Sequence, residues 1–244
     1  MAKPTDMLTV RQFTSECRDG VRKVCVDTAY FGRPLHFWLD IDPELYADFY
    51  TRYYTDFEPE GLFITTDDDN KVVGYMALCS DLKRHRRVLW KNILSKIVMD
   101  LISGKHSLGN KIIWVAFRML MDRLRYGKLN LHPEGYNADI HINFLPGYRG
   151  MFKEWGKMVK MGYNYLMKNG VRYIIGVLYQ DWKNPEEKME LLGFKIIQKR
   201  RTTIKGKNGW FLITGCDLKE WKERLPKAIA IFTRQKAMNT KKED

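Results

Sequence analysis

Three polar side chains alternate along one short stretch of the chain: Asp139, His141 and Asn143 in DIHINF. With a period of two they share one face of a strand, and Ile140, Ile142 and Phe144 take the other. An imidazole gives and takes protons near neutral pH. His141 is the first candidate for a general base. Leu145-Pro146-Gly147 breaks the strand, Arg149-Gly150 follows, and a helical pattern runs from about Lys153 to Asn169. A strand, a turn with glycine and basic residues, and a helix start gather backbone N–H groups and a positive dipole end at one point, which suits an anion. Arg149, Gly150, Gly156 and Lys157 are the candidate rim of that site.

Other groups are placed less pointedly. Glu58 and Glu60, in the EPEG turn, are alternative bases, and Tyr179 and Asp181 end the next strand-like run. Each has a plainer reading: a histidine satisfied within a sheet, solvated surface carboxylates, a strand-end tyrosine that packs. Cys17, Cys25, Cys79 and Cys216 show no CxxC spacing. They read as reduced core thiols of a cytoplasmic chain, and no metal site is expected.

The elements that must carry these groups follow from periodicity. Leu8 to Phe13 reads as a strand, and a helix capped by Thr14 or Ser15 runs to about Tyr30. A second helix starts at Asp42-Pro43-Glu44 with Leu45, Phe49 and Tyr53 on its inner stripe. Leu62–Thr65 and Val72–Cys79 form a hairpin around Asp67–Asn70. Two amphipathic runs then suggest a helical hairpin: Trp90, Ile93, Leu94, Ile97, Val98 and Leu101 on one apolar face, and Ile113, Ala116, Phe117, Leu120, Met121 and Leu124 on the other. After the central strand and helix come a strand at Val171–Tyr179, a short helix at Pro185–Leu192, a hairpin at Phe194–Leu218, and a basic helix after Pro226. The order implies a mixed α/β sheet with flanking helices. The expected organisation is one domain over 1–225, with an insert at about 82–130, and a helix and tail at 226–244.

Bulk properties agree with a globular chain: 244 residues, 45% hydrophobic, formal charge +13. The start lacks a basic then apolar leader pattern, and the longest apolar run, Ile112–Phe117, is too short to span a bilayer. The charge is uneven. Residues 82–130 hold twelve Lys and Arg against Asp100 and Asp122, a net +10, which leaves +3 elsewhere. Attraction to an anionic partner is concentrated there. The readings left open for this insert are a solvated face over a packed hairpin, a lid on an acceptor pocket, and contact with a membrane surface or nucleic acid.

In order and in residues, the chain from roughly Leu8 to Leu218 resembles the GNAT superfamily of N-acyltransferases, apart from the insert. The segments that carry the resemblance are HINFLPGYRG at 141–150, the helix ending at Asn169-Gly170, and ELLGF at 190–194. LYADFYTRYYTDFEPEG followed by VVGYMALCSD is similar to a bacterial group with helical insertions before the cofactor strand. The resemblance implies a mostly antiparallel sheet and a site for acetyl-CoA or another acyl-CoA. Backbone groups at Asn143, Phe144 and Leu145 would engage the pantetheine and thioester, and the loop from Arg149 would hold the pyrophosphate. The chain departs from the pattern in two places. Phe152 and Glu154 fall at the loop's two glycine positions when counted from Arg149, and Met189 replaces the tyrosine that commonly protonates the leaving thiolate. Tyr179 could supply that proton instead. The implied activity is transfer of an acetyl or longer acyl group to an amine, within a ternary complex. A binding module without catalysis, holding an anionic partner through the basic insert, is the second reading.

Overall fold

The structure, a computed structural model, describes residues 8–30, 32–106, 108–148, 151–180, 185–202 and 209–240. Strands β1 (Thr9–Gln12), β2 (Leu62–Thr66), β3 (Val72–Cys79), β4 (Ala138–Phe144), β5 (Tyr173–Gln180), β6 (Lys195–Thr202) and β7 (Gly209–Asp217) form one sheet. Its order is β1-β2-β3-β4-β5-β7-β6, antiparallel throughout except between β4 and β5. The helices are α1 (Arg18–Asp27), α2 (Pro43–Asp56), α3 (Leu82–Val88), α4 (Ser95–Ile102), α5 (Asn110–Tyr126), α6 (Phe152–Lys168), α7 (Pro185–Leu191) and α8 (Leu218–Thr240).

Local chemistry sets the boundaries. The Asp42 side chain accepts from Glu44 N at 2.8 Å and Pro43 opens α2, so cap and fixed φ start the helix together. Asp81 caps α3 through Lys83 N and Arg84 N. Asn70, at φ 60°, closes the β2–β3 hairpin, because a short amide side chain tolerates the left-handed region. The predicted mixed, mostly antiparallel sheet is the one observed.

Each face of the sheet buries its own core. On one, α1 and α2 cover Ile64, Tyr75, Ala77 and Cys79 with Val21, Val24 and Tyr53. On the other, Met158 and Leu166 of α6 and Trp221 of α8 meet Met76, Leu78 and Ile174. α6 lies close to the sheet because Gly162 has no side chain; a Cβ there would fall 2.5 Å from the Met76 methyl.

Three expectations change. Phe49 is exposed while Leu45 and Tyr53 are buried, because α2 turns its tyrosines rather than Phe49 onto β3 and β4. α8 starts at Leu218 and carries Pro226 inside it, so a boundary at 225/226 cuts through one helix. The insert is also not a simple hairpin covering the sheet. α3 runs through a π-helical turn, Leu89–Leu94, directly into α4; that turn packs on α2 and buries Ile93. α5 lies over β6 instead. It buries Val115 and Asp122, a narrow stripe seven residues apart, and leaves Ile113, Phe117, Leu120, Met121 and Leu124 exposed. The predicted apolar face of α5 points away from the protein.

Candidate active site at the split sheet

β4 keeps its ladder with β3 to the end, through Phe144↔Gly74 and on to Leu145, whose N–H donates to Val73 O at 2.9 Å. β5 likewise pairs with β7 along its whole length, to Gln180↔Trp210. Between β4 and β5 the register ends after Ala138↔Ile174 and Asp139↔Ile175. The two ladders therefore separate beyond Asp139, and the sheet opens like a V.

Strand geometry says which backbone groups face the opening. Leu145 and Val73 form a hydrogen-bonded pair, so by alternation the amides of Asn143, His141 and Asp139 also point at β3. Those of Ile140, Ile142 and Phe144 point the other way, toward the flank that β5 has left. The Ile140 N–H still belongs to the Asp139↔Ile175 bridge, whereas the Ile142 amide has no β5 partner among the described residues. Of the expected backbone contributors, Phe144 faces the opening, whereas Asn143 and Leu145 spend their amides on β3. Ile142 also presents its amide there; only the register reveals this, since an apolar strand residue carries no sequence signal for such an amide.

Side chains line the α1–α2 face beside the opening. Asn143 Nδ2 reaches the Tyr75 hydroxyl at 2.8 Å and His141 Nε2 at 2.9 Å. An amide nitrogen has no lone pair to give, so Nε2 accepts. The imidazole stacks between Tyr50 and Tyr75, with centroids 6.2 Å and 5.8 Å away. Burial pulls its pKa down to about 4. His141 is thus neutral at pH 7 with Nε2 already occupied, which is a poor arrangement for the general base expected of it. Asp139 is different. Burial pushes its carboxyl up to about 7, against the opposing hydrogen bond from Tyr54 at 3.2 Å. A carboxylate poised near neutrality at the foot of the V can accept a proton from an incoming group.

The other candidates separate clearly. Glu58 is buried at 2% exposure and accepts from Tyr53 Oη at 2.5 Å, Tyr165 Oη at 2.5 Å, Ser80 N at 2.7 Å and Ser80 Oγ at 2.6 Å. It ties α2, β3 and α6 together at the corner of the fold. Glu60 sits exposed in the adjoining short 3₁₀ turn. Tyr179 is partly buried on the same face of β5 as Ile175, across the opening from His141, and packs against the first core. Met189 is buried in the second core, which explains a methionine there in packing terms. Arg149, Gly150 and Asp181 lie outside the described residues.

The helix after β4 begins at Phe152, and the preceding Met151 makes no side-chain cap bond. Its first amides, Phe152 to Glu154, thus point out of the helix end without intrahelical acceptors. Lys157 is exposed one turn later. Gly156 does not belong to this rim. It faces α8, where an added Cβ would stand 2.6 Å from Ile229 Cδ1, so the glycine lets two helices cross closely. All four cysteines are buried and free; burial raises the Cys25 thiol to about 12 and Cys79 higher still. Neither of these two is a ready thiolate nucleophile.

No family model matches the sequence, and no curated protein matches it in sequence. Solved structures do match in shape. SsHAT aligns with TM-score 0.61 at 22% identity, over 88% of this chain and 99% of its own. Arylalkylamine N-acetyltransferase 2 from Aedes aegypti aligns at TM-score 0.51 and 10% identity, over 87% of this chain and 100% of that one. An N-acetyltransferase from Staphylococcus aureus Mu50 aligns at TM-score 0.50 and 10% identity, over 87% and 99%. The fold is that of the GNAT N-acyltransferases.

Proposed function

We propose that the chain transfers an acyl group from acetyl-CoA or a longer acyl-CoA to an amine. The observation that carries this reading is the separation of β4 from β5 after Asp139↔Ile175. It leaves the backbone of Ile142, beyond the last β4–β5 pair, facing the opening, where an amide-bearing chain such as pantetheine can lie as a short added strand. The uncapped start of α6, with Lys157 close behind, supplies N–H groups and positive potential for the pyrophosphate. Glu154 in that first turn opposes an anion in part.

Acyl transfer to an amine needs the ammonium deprotonated and the departing sulfur protonated. We assign the first task to Asp139, whose carboxyl titrates near neutrality beside the opening. We assign the second to the Tyr179 hydroxyl on the facing strand β5, since Met189 has no proton to give. His141 and Asn143 form a fixed, neutral wall between the two. Buried free thiols fit a reducing compartment such as the cytoplasm.

Calorimetric titration with acetyl-CoA and a longer acyl-CoA, followed by thiol release with a panel of amines, tests the reading. Micromolar-range binding with amine-dependent release is expected. No binding of any acyl-CoA would leave a fold without the chemistry, and would favour the module that only holds a partner.

A further inference from the structure

Large exposed apolar side chains are concentrated in one stretch of the chain. Of nineteen such residues among those described, fourteen fall between Trp90 and Leu131. They include Met99, Ile102 and Ile113, exposed by 67%, 79% and 70%, and Trp114, Phe117 and Leu124 along α5. Single exposed hydrophobes are ordinary; a concentration of them on adjoining elements marks a binding surface.

The same stretch holds eight Lys and Arg against two acids, Asp100 and Asp122. Neither acid offsets the surface fully. Asp122 is buried and bonded to Thr202 Oγ1 at 2.5 Å, and Asp100 pairs with Lys96 at 2.5 Å. Arg118 stacks over the Trp114 ring at 4.3 Å and Arg125 over Tyr126 at 5.4 Å, so cations sit directly beside the apolar side chains. A broad apolar face with Trp and Phe, edged by Lys and Arg, is the composition of a helix lying in a membrane interface.

We infer that α4 and α5 dock on the surface of an anionic lipid bilayer. The apolar side chains of α5 enter the boundary between headgroups and acyl chains, and Lys105, Lys111, Arg118, Arg123, Arg125 and Lys128 meet the lipid phosphates. A second copy of the chain fits poorly, since it would set one strongly cationic stretch (eight Lys and Arg to two acids) against another. Nucleic acid would satisfy the cations and leave the apolar face wet. No described helix is long and apolar enough to cross a membrane, so attachment is at the surface.

Co-sedimentation of the full chain with vesicles of phosphatidylcholine containing about one-third phosphatidylglycerol tests this. Expected is binding at least about tenfold tighter than to phosphatidylcholine alone, weakened by added salt. The double substitution Phe117→Glu and Leu120→Glu should abolish binding while leaving the melting temperature and acyl-CoA titration unchanged. Quenching of tryptophan fluorescence by brominated lipid, reduced in Trp114→Phe, should report insertion in the unaltered fold. Absence of vesicle binding, or equal binding to neutral vesicles, would overturn the proposal. So would a dimer in light scattering that the double substitution splits, or nucleic-acid binding that it leaves intact in a chain that ignores vesicles.

Discussion

The Tyr54 hydroxyl donates to Asp139 Oδ1 at 3.2 Å, joining α2 to the last residue of β4 that still pairs with β5. The bond fixes a carboxylate at the point where the sheet divides. Desolvation outweighs it, so the carboxyl is held near neutrality rather than in the usual carboxylate range.

Asp139→Asn is expected to lower acyl transfer by about a hundredfold or more, with acyl-CoA affinity unchanged. The native rate should rise with pH and level off above about 7, and the variant should lose that inflection. Stability moves the opposite way. The folded pKa is raised, so the contribution present at low pH is lost as pH rises through about 7. Asp139→Asn should therefore be the more stable protein at pH 8, by roughly 1 kcal/mol. A denaturant titration at two pH values measures it.

His141→Gln keeps a polar side chain between Tyr50 and Tyr75. The pH–rate curve should keep its inflection near the same pH, with the rate reduced by less than about tenfold. Loss of the inflection in this variant would move the base from Asp139 to His141.

Glu58 and Glu60 differ by burial, so their substitutions should differ in kind. Glu58→Ala leaves the Tyr53, Tyr165 and Ser80 donors without their acceptor and should cost roughly 3 kcal/mol. Glu60→Ala, at an exposed turn, should stay within about 0.5 kcal/mol. Thermal unfolding of the two variants side by side checks the contrast.

Gly156→Ala should hold stability within about 1 kcal/mol, since helix propensity offsets a contact that the end of Ile229 can yield. Gly156→Phe should cost about 2 kcal/mol or more by forcing α6 from α8. Neither should change acyl-CoA affinity by more than about threefold if the glycine serves packing alone; titration of both variants decides.

Asp122→Ala removes the acceptor for Thr202 Oγ1 beneath α5. A cost of about 1 to 3 kcal/mol is expected, felt first as local opening. Hydrogen exchange should accelerate over 110–126 and not over β3 or β4.

Periodicity was enough to read the fold. Strand and helix order, the β2–β3 hairpin, the cap at Asp42 and the central strand–turn–helix are all legible, because each depends on neighbours within a few residues. So was the concentration of charge at 82–130. The direction in which that segment faces was not. Ile113, Phe117 and Leu124 have the spacing of a buried stripe, and a helix's moment does not say whether protein or another phase receives it. The site followed the same division. Asp139 and His141 alternate in plain view, but which of them can hold a proton depends on burial and on Tyr54, Tyr50 and Tyr75, which arrive from other elements. Gly156 looked like part of an anion loop until Ile229, seventy-three residues on, gave it a packing partner. The opening itself depends on where β5 stops pairing with β4, a property of two ladders diverging in space that neither strand's residues encode alone.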